Sequence, residues 1–283
     1  MTRAFCPGHI TCFFHPVRTD ALLTTGSRGA GLRLSLGTWV TVEERSDSKV
    51  VVNIDGTDSE ASVTRRVVDQ IAPDRGFDIT VENQLPVGQG FGMSASGAIA
   101  AAMALCDITG RSMSEAYEFA HIAEVMEGGG LGDVSAISCS GHQPVRVKAG
   151  LPPYGKVIDT GIRLNLTLAV TGTKLNTASV IRDSAILQRM SEIGSRMVDD
   201  YSRNPTVESL FSFSREFSSS IGLESENVKN ALDSIAPYAP AGMCMLGHSI
   251  FTTAPEDLVR EKLGDVPVFR ASTSDKPAFI QRE

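Results

Sequence analysis

Between Phe77 and Glu82 the chain alternates strictly: Phe77, Ile79 and Val81 are apolar, and Asp78, Thr80 and Glu82 are polar. That period of two predicts a strand with one wet face. Residues 49–55 also look like a strand. Residues 10–43 mix apolar positions with Gly26, Gly29, Gly31 and Gly37, which predicts short strands joined by tight turns. The pattern changes over residues 94–106, where a serine start, repeated alanine and no proline predict a helix. Ser112-Met113-Ser114-Glu115 fits a capping box and opens a second helix running to near Glu127. The segment that follows, Gly128-Gly129-Gly130-Leu131-Gly132, is too rich in glycine to continue any helix.

Pro152-Pro153-Tyr154-Gly155 reads as a linker. Beyond it the pattern predicts a strand over 164–171 and helices over 178–201, 206–221 and 225–235. A last short helix covers 255–263, with Pro255 at its first position and Gly264 past its end. Strands followed by helices, twice over and without internal repeats, predict an α+β chain of two lobes, 1–155 and 156–283.

Of 283 residues, 42% are hydrophobic and 21% charged, an ordinary soluble globular composition. Twenty-six basic against thirty-three acidic residues give a formal charge of −7, which disfavours broad adhesion to nucleic acid or an anionic membrane. No apolar run is long enough to span a bilayer, and the first residues lack the apolar core of a signal peptide. The expected location is cytoplasmic. Five cysteines, Cys6, Cys12, Cys106, Cys139 and Cys244, show no CxxC spacing and are read as reduced, semi-buried side chains.

The chemistry gathers at Pro86-Val87-Gly88-Gln89-Gly90-Phe91-Gly92-Met93-Ser94-Ala95-Ser96-Gly97-Ala98, where three alternating glycines precede a predicted helix. Glycines let backbone N–H groups approach an anion, and the helix adds unpaired N–H groups and a positive dipole end. Such a place favours phosphate, and the hydroxyls of Ser94 and Ser96 can bond it or complete a magnesium shell. The bland alternative is a close helix–strand crossing that needs small residues. A dinucleotide fingerprint fits poorly, because Asn83-Gln84-Leu85-Pro86 interrupts the strand that should feed it. Gly150-Leu151-Pro152-Pro153-Tyr154-Gly155-Lys156-Val157 spells GxxxxGK but ends in Val157, without the hydroxyl a P-loop gives magnesium.

Phosphoryl transfer also needs a group beside the attacking hydroxyl. Asp133, at the end of the glycine run, is the candidate, with helix capping as its alternative. Glu124 suits magnesium if it faces the phosphate loop, and a solvated helix face is its alternative. His121 with Glu124 makes only half a zinc site. Arg28, within Gly26-Ser27-Arg28-Gly29-Ala30-Gly31, can grip a carboxylate bidentately or simply sit exposed in a turn. Met243, Met245 and Leu246 are expected in the core.

Together these segments resemble the GHMP superfamily of small-molecule kinases. Pro7-Gly8-His9-Ile10 is similar to its opening motif, residues 86–98 to its phosphate loop, and Glu124 with Asp133 to its carboxylate-bearing stretch. Ala241-Gly242-Met243-Cys244-Met245-Leu246-Gly247 stands in the place of its third motif. Many members carry lysine or arginine where this chain has His9. Within the superfamily, residues 5–14, residues 26–31 and the methionine-rich third motif resemble archaeal-type pantoate kinases. That resemblance implies a ribosomal S5-like N-terminal lobe and a ferredoxin-like C-terminal lobe with ligands between them, and ATP and Mg2+ as cofactors. It further implies phosphorylation of pantoate to 4-phosphopantoate on the way to coenzyme A, and a homodimer. Pro86, Gly88, Gln89, Gly90, Phe91, Gly92, Met93, Ser94, Ala95 and Ser96 would then bind nucleotide, and Ser94 and Glu124 magnesium. Asp133 would be catalytic, and His9, Ser27 and Arg28 would bind the acceptor. Other hydroxylated acceptors (shikimate, homoserine, mevalonate) and a silent nucleotide sensor remain alternatives.

Overall fold

The computed structural model describes residues 1–174 and 184–282. Its first sheet is built on two long antiparallel strands, β1 (Thr2–Val17) and β2 (Gly26–Glu44), paired along nearly their whole length. This corrects the expectation of short strands and tight turns. The glycines there relieve close contacts inside the ladder instead of turning the chain. At Gly31, for example, a Cβ would collide with the carbonyl oxygen of Ile10 and the ring of His9. Register shifts between Pro7 and His9 and between Thr11 and Phe13 absorb the remaining crowding.

The same sheet takes in β3 (Val50–Ile54), β4 (Thr57–Asp58), β5 (Phe77–Asn83), β6 (Pro144–Lys148), β7 (Lys156–Asp159) and β12 (Phe279–Ile280). Its path runs β12-β1-β2-β5-β3-β4, with β6 on β2 and β7 on β6. The alternation in β5 holds: Phe77, Ile79 and Val81 are buried, and Thr80 and Glu82 exposed. Pro152-Pro153-Tyr154-Gly155 lies in the connection between β6 and β7, so the chain leaves this sheet only after Asp159.

Four helices accompany this sheet: α1 (Ser62–Ile71), α2 (Met93–Thr109), α3 (Glu115–Glu127) and α4 (Asp133–Ser138). α2 is buried without a break from Ala95 to Cys106; small alanines let it pack closely on the sheet and on its neighbours from all sides. The capping box before α3 forms only by half. The Ser112 N–H donates to the Glu115 carboxylate at 3.0 Å, but the Ser112 hydroxyl pairs with that of Ser114 and no side chain caps the helix.

The second sheet is antiparallel, in the order β11-β8-β10-β9, from β8 (Asn165–Val170), β9 (Ala241–Met243), β10 (Ser249–Thr252) and β11 (Val268–Ser272). With it come α5 (Ser184–Arg203), α6 (Val207–Ile221), α7 (Glu226–Ile235) and α8 (Glu256–Leu263). The start of the helix expected over 178–201 lies outside the described residues. Thr206 and Ser225 cap α6 and α7 through their side chains. One apolar cluster joins Ile10 and Phe13 of the first sheet to Tyr201, Phe217, Met243 and Phe251. Phe13 meets the ring of Tyr201 edge-on with centroids 5.5 Å apart. A second cluster fills the space between the first sheet and α1 to α3. The first sheet is therefore covered on both faces, and a cleft remains where the second lobe meets the start of α2.

Candidate active site

Gly88, Gly90 and Gly92 all have positive φ, at 78°, 77° and 69°, a region that side-chain-bearing residues rarely adopt. The loop they shape ends at Gly92, the N-cap of α2, where no side chain satisfies the first-turn N–H groups. It is fastened to β1 by the His9 N–H, which donates to the Phe91 carbonyl at 3.0 Å. In front of it lies a cavity of about 620 Å³, also lined by Thr11, Ser27, Glu124, Glu127, Asp133, Lys174, Met245 and Leu246.

Glu124 comes from the last turns of α3 and is 1% exposed. One carboxylate oxygen accepts from the Ser94 hydroxyl, and the other from the Gly130 N–H at 2.8 Å. Burial, reinforced by the charge of Asp133, raises its carboxyl to about 7 against the opposing pull of those two bonds. A buried carboxylate pushed up in this way, beside a second carboxylate and a hydroxyl, is an oxygen donor set that a hard cation would relieve.

Asp133 opens α4, and its carboxylate reaches the ring of His9, with Nδ1 2.7 Å from Oδ1. Burial lowers the pKa of His9, so the imidazole is neutral and donates from Nδ1. Burial pushes the Asp133 carboxyl up, but the His9 bond, the nearby Arg146 charge and the Thr11 hydroxyl outweigh it and hold it below its ordinary value. The result is an ionised carboxylate at the cavity wall.

Arg146, on β6, carries no signal in the sequence pattern. It is 1% exposed, and burial lowers its guanidinium to about 10, so it stays charged at neutral pH. Nε donates to the Ser27 carbonyl at 3.3 Å and Nη2 to the Thr11 hydroxyl at 3.4 Å, while Nη1 is buried without a partner. A Cβ on Gly132 would run into Nε and Cζ of this guanidinium. A buried cation thus stands directly behind the wall formed by Ser27, Thr11 and Gly132. No local motif marks it; only the cross-strand register with Gly29 brings it here.

Of the residues singled out in the sequence, Gly88, Gly90, Phe91, Gly92, Met93, Ser94, Ala95, Ser27, Glu124 and Asp133 line the cavity. Pro86 and Gln89 do not. The side-chain amide of Gln89 points into the second lobe, donating to the Gly172 carbonyl at 3.0 Å. Ser96 is buried, and its hydroxyl donates to the Cys6 carbonyl at 2.6 Å. His9 stands behind Asp133, fully buried. Arg28, the next residue along β2 after Ser27, turns to the other face, as strand geometry requires. There it reaches the carboxylate of Asp199 and the Val147 carbonyl. Asp133 does not cap its helix, since Gly132 holds the N-cap position. Met243 and Met245 are core, as expected, with Met245 also reaching the cavity, whereas Leu246 is only partly buried and lines it.

His121 makes no metal site with Glu124. Its Nε2 lies 3.1 Å from the Leu22 carbonyl and 3.0 Å from that of Thr25, pinning the loop between β1 and β2. No group of three or more metal-binding side chains of the His, Cys, Asp or Glu type occurs among the described residues. No helix among them is long and apolar enough to cross a membrane.

Residues 61–141 match the family described as GHMP kinases N terminal domain. A pantoate kinase of Thermococcus kodakarensis is 32% identical over 270 residues, covering 91% of this chain and 89% of the relative. A solved structure described as a phosphotransferase related to the CoA biosynthesis pathway superimposes with a TM-score of 0.88 at 27% identity, covering 99% of this chain and 98% of its own. A mevalonate kinase shares the fold at 14% identity, with a TM-score of 0.70 over 97% of this chain and 99% of its own.

Proposed function

This chain belongs to the pantoate kinase family within the GHMP kinases, and from that premise we propose that it transfers the γ-phosphoryl group of ATP to the primary hydroxyl of pantoate. The observation that carries this reading is one cavity in which an anion-accepting glycine loop faces an ionised Asp133, with the charge of Arg146 behind the wall. The reading joins a phosphate site, a site for a hydroxyl and a site for a carboxylate in one space.

In this proposal the backbone N–H groups from Gly88 to Ala95 hold the nucleotide phosphates. The pantoate carboxylate docks on the Ser27 hydroxyl, drawn by the guanidinium of Arg146. Asp133, kept ionised and oriented by His9, accepts a hydrogen bond from the primary hydroxyl and takes its proton as the oxygen bonds to the γ-phosphorus. The bond from that phosphorus to the β–γ bridging oxygen breaks, and ADP leaves with the electron pair. A loose transition state asks little base strength of Asp133, so position and charge carry most of its contribution. Ser94 and Glu124, an all-oxygen set with a carboxylate raised by burial, fit a magnesium ion. When bound, the ion would neutralise phosphate charge.

The test is ADP release with a panel of acceptors. Pantoate should support turnover far above mevalonate, homoserine and shikimate. Equal or higher turnover with another acceptor would overturn the choice of substrate, and MgATP binding without any release would favour the silent sensor. A homodimer belongs to the same proposal, and light scattering tests it.

A further inference from the structure

The cavity is charged mostly one way. Glu124, Glu127 and Asp133 line it, and among the described residues that line it Lys174 is the one cationic side chain. A polyphosphate entering this space therefore meets three carboxylates, and its binding needs a positive group close to the loop that holds it.

Lys174 arrives from the second lobe, just after β8, and its approach is fixed residue by residue. The Thr171 N–H donates to the His248 carbonyl at 2.8 Å, and the Thr171 hydroxyl to the same oxygen at 3.0 Å. The Gly172 carbonyl accepts from the Gln89 side chain at 3.0 Å, and the Thr173 carbonyl accepts from the His248 ring Nδ1 at 2.8 Å. Gln89 is part of the glycine loop itself, and its other amide atom accepts from the His248 N–H at 3.1 Å. The loop 171–174 and the phosphate loop are thus bolted together through two side chains.

The consequence appears at Gly88. A Cβ there would collide with Cγ, Cδ and Cε of Lys174. The aliphatic stem lies across the bare face of this glycine, so the absence of a side chain at Gly88 is what seats the lysine. Among the described residues its ammonium has no hydrogen-bond or ion-pair partner. A long flexible cation held by its stem with its head free is suited to meeting an anion that arrives later.

We propose that Lys174 is a nucleotide-binding residue through which the second lobe grips the phosphate chain of ATP, its ammonium pairing with phosphate oxygens above Gly88. This rests on the reading that the cavity takes ATP. The lysine supplies from the second lobe the positive charge that the glycine loop, with only backbone dipoles, lacks.

The experiment is equilibrium binding of MgATP and of adenosine to the wild type, Lys174→Met and Lys174→Arg. Methionine keeps an aliphatic stem over Gly88 and removes the charge; the position is exposed, so equal thermal melting of all three proteins checks the fold. The Kd for MgATP should rise about tenfold in Lys174→Met, the loss of one charge-assisted hydrogen bond, and Lys174→Arg should recover most of it. Adenosine, which has no phosphate, should bind all three alike. Unchanged MgATP binding in Lys174→Met, or an equal weakening of adenosine, overturns the assignment while leaving the kinase reading intact. A wild type that binds no MgATP overturns both, and one that binds it without pantoate-dependent turnover faults the acceptor alone while the lysine is still judged by its Kd.

Discussion

His9 Nδ1 lies 2.7 Å from Asp133 Oδ1, joining residues 124 positions apart, and the other ring nitrogen is buried without a partner beside Gly31. The pair divides the work at the cavity wall: the histidine is fully buried and neutral, and the carboxylate keeps 22% of its side chain exposed for a ligand. His9 is bonded to the aspartate and does not line the cavity itself.

Asp133→Asn should lower kcat by roughly two to four orders of magnitude, the range typical of a positioned acid–base group. MgATP affinity should change little. Single-turnover kinetics beside a binding titration check this, and an asparagine variant with near-normal kcat would remove Asp133 from the reaction.

His9→Phe should move the acid limb of the kcat/KM profile upward. The bond from His9 helps to hold the Asp133 carboxyl below its ordinary value, so its loss raises that pKa and the base becomes protonated at higher pH. A pH profile with an unmoved acid limb would show that His9 only fills space.

Glu124 predicts a distinctive pH dependence of stability. Its folded carboxyl titrates near 7 against an ordinary 4.5, so across that window the folded chain retains a proton that the unfolded chain has released. Stability from this group therefore falls as pH rises from about 4.5 to about 7. In metal-free buffer, the denaturation free energy of Glu124→Gln relative to wild type should improve by about 3 kcal/mol from low to high pH. A pH-independent difference would contradict the burial effect. Magnesium added above pH 7 should stabilise the wild type and not the glutamine variant.

The two arginines should behave oppositely. Arg146→Met removes the buried charge behind Ser27 and should raise the KM for pantoate by about tenfold to a hundredfold, the worth of a charge-assisted contact. Arg28→Ala should leave that KM unchanged, because its guanidinium is engaged with Asp199 on the other face of β2. Steady-state kinetics with pantoate varied decide between them, and a reversed result would restore Arg28 to the acceptor site.

Ser94 and Ser96, two residues apart on α2, should also separate. Ser94→Ala should depress turnover by loosening Glu124. Ser96→Ala should keep turnover and lose about 1 kcal/mol of stability with the bond to the Cys6 carbonyl. Thermal melts beside turnover assays distinguish them; loss of activity in Ser96→Ala without a change in melting would place its hydroxyl at a ligand.

Local features of the sequence carried much of this architecture. The glycine loop and α2 are written in consecutive residues, and Glu124 and Asp133 flank a glycine run that can only be a turn, so short-range rules suffice for them. What escaped is long-range. Arg146 reaches the site through strand register, and Lys174 through bonds from Gln89 and His248 in distant parts of the chain. Arg28 misled because composition does not tell which face of a strand a residue takes, and Ser27 and Arg28 take opposite ones. The glycines of β1 and β2 suggested turns because sequence cannot distinguish a glycine that bends the chain from one that makes room for His9.

One cavity should hold a triphosphate on the glycine loop and pantoate against Ser27 and Asp133. A crystal structure with a non-hydrolysable ATP analogue, magnesium and pantoate tests it most directly. Phosphates should lie over residues 88–95, the pantoate carboxylate on the Ser27 and Arg146 side, and its primary hydroxyl within hydrogen-bonding distance of Asp133. A triphosphate bound elsewhere, or pantoate with its hydroxyl turned away from Asp133, would contradict it.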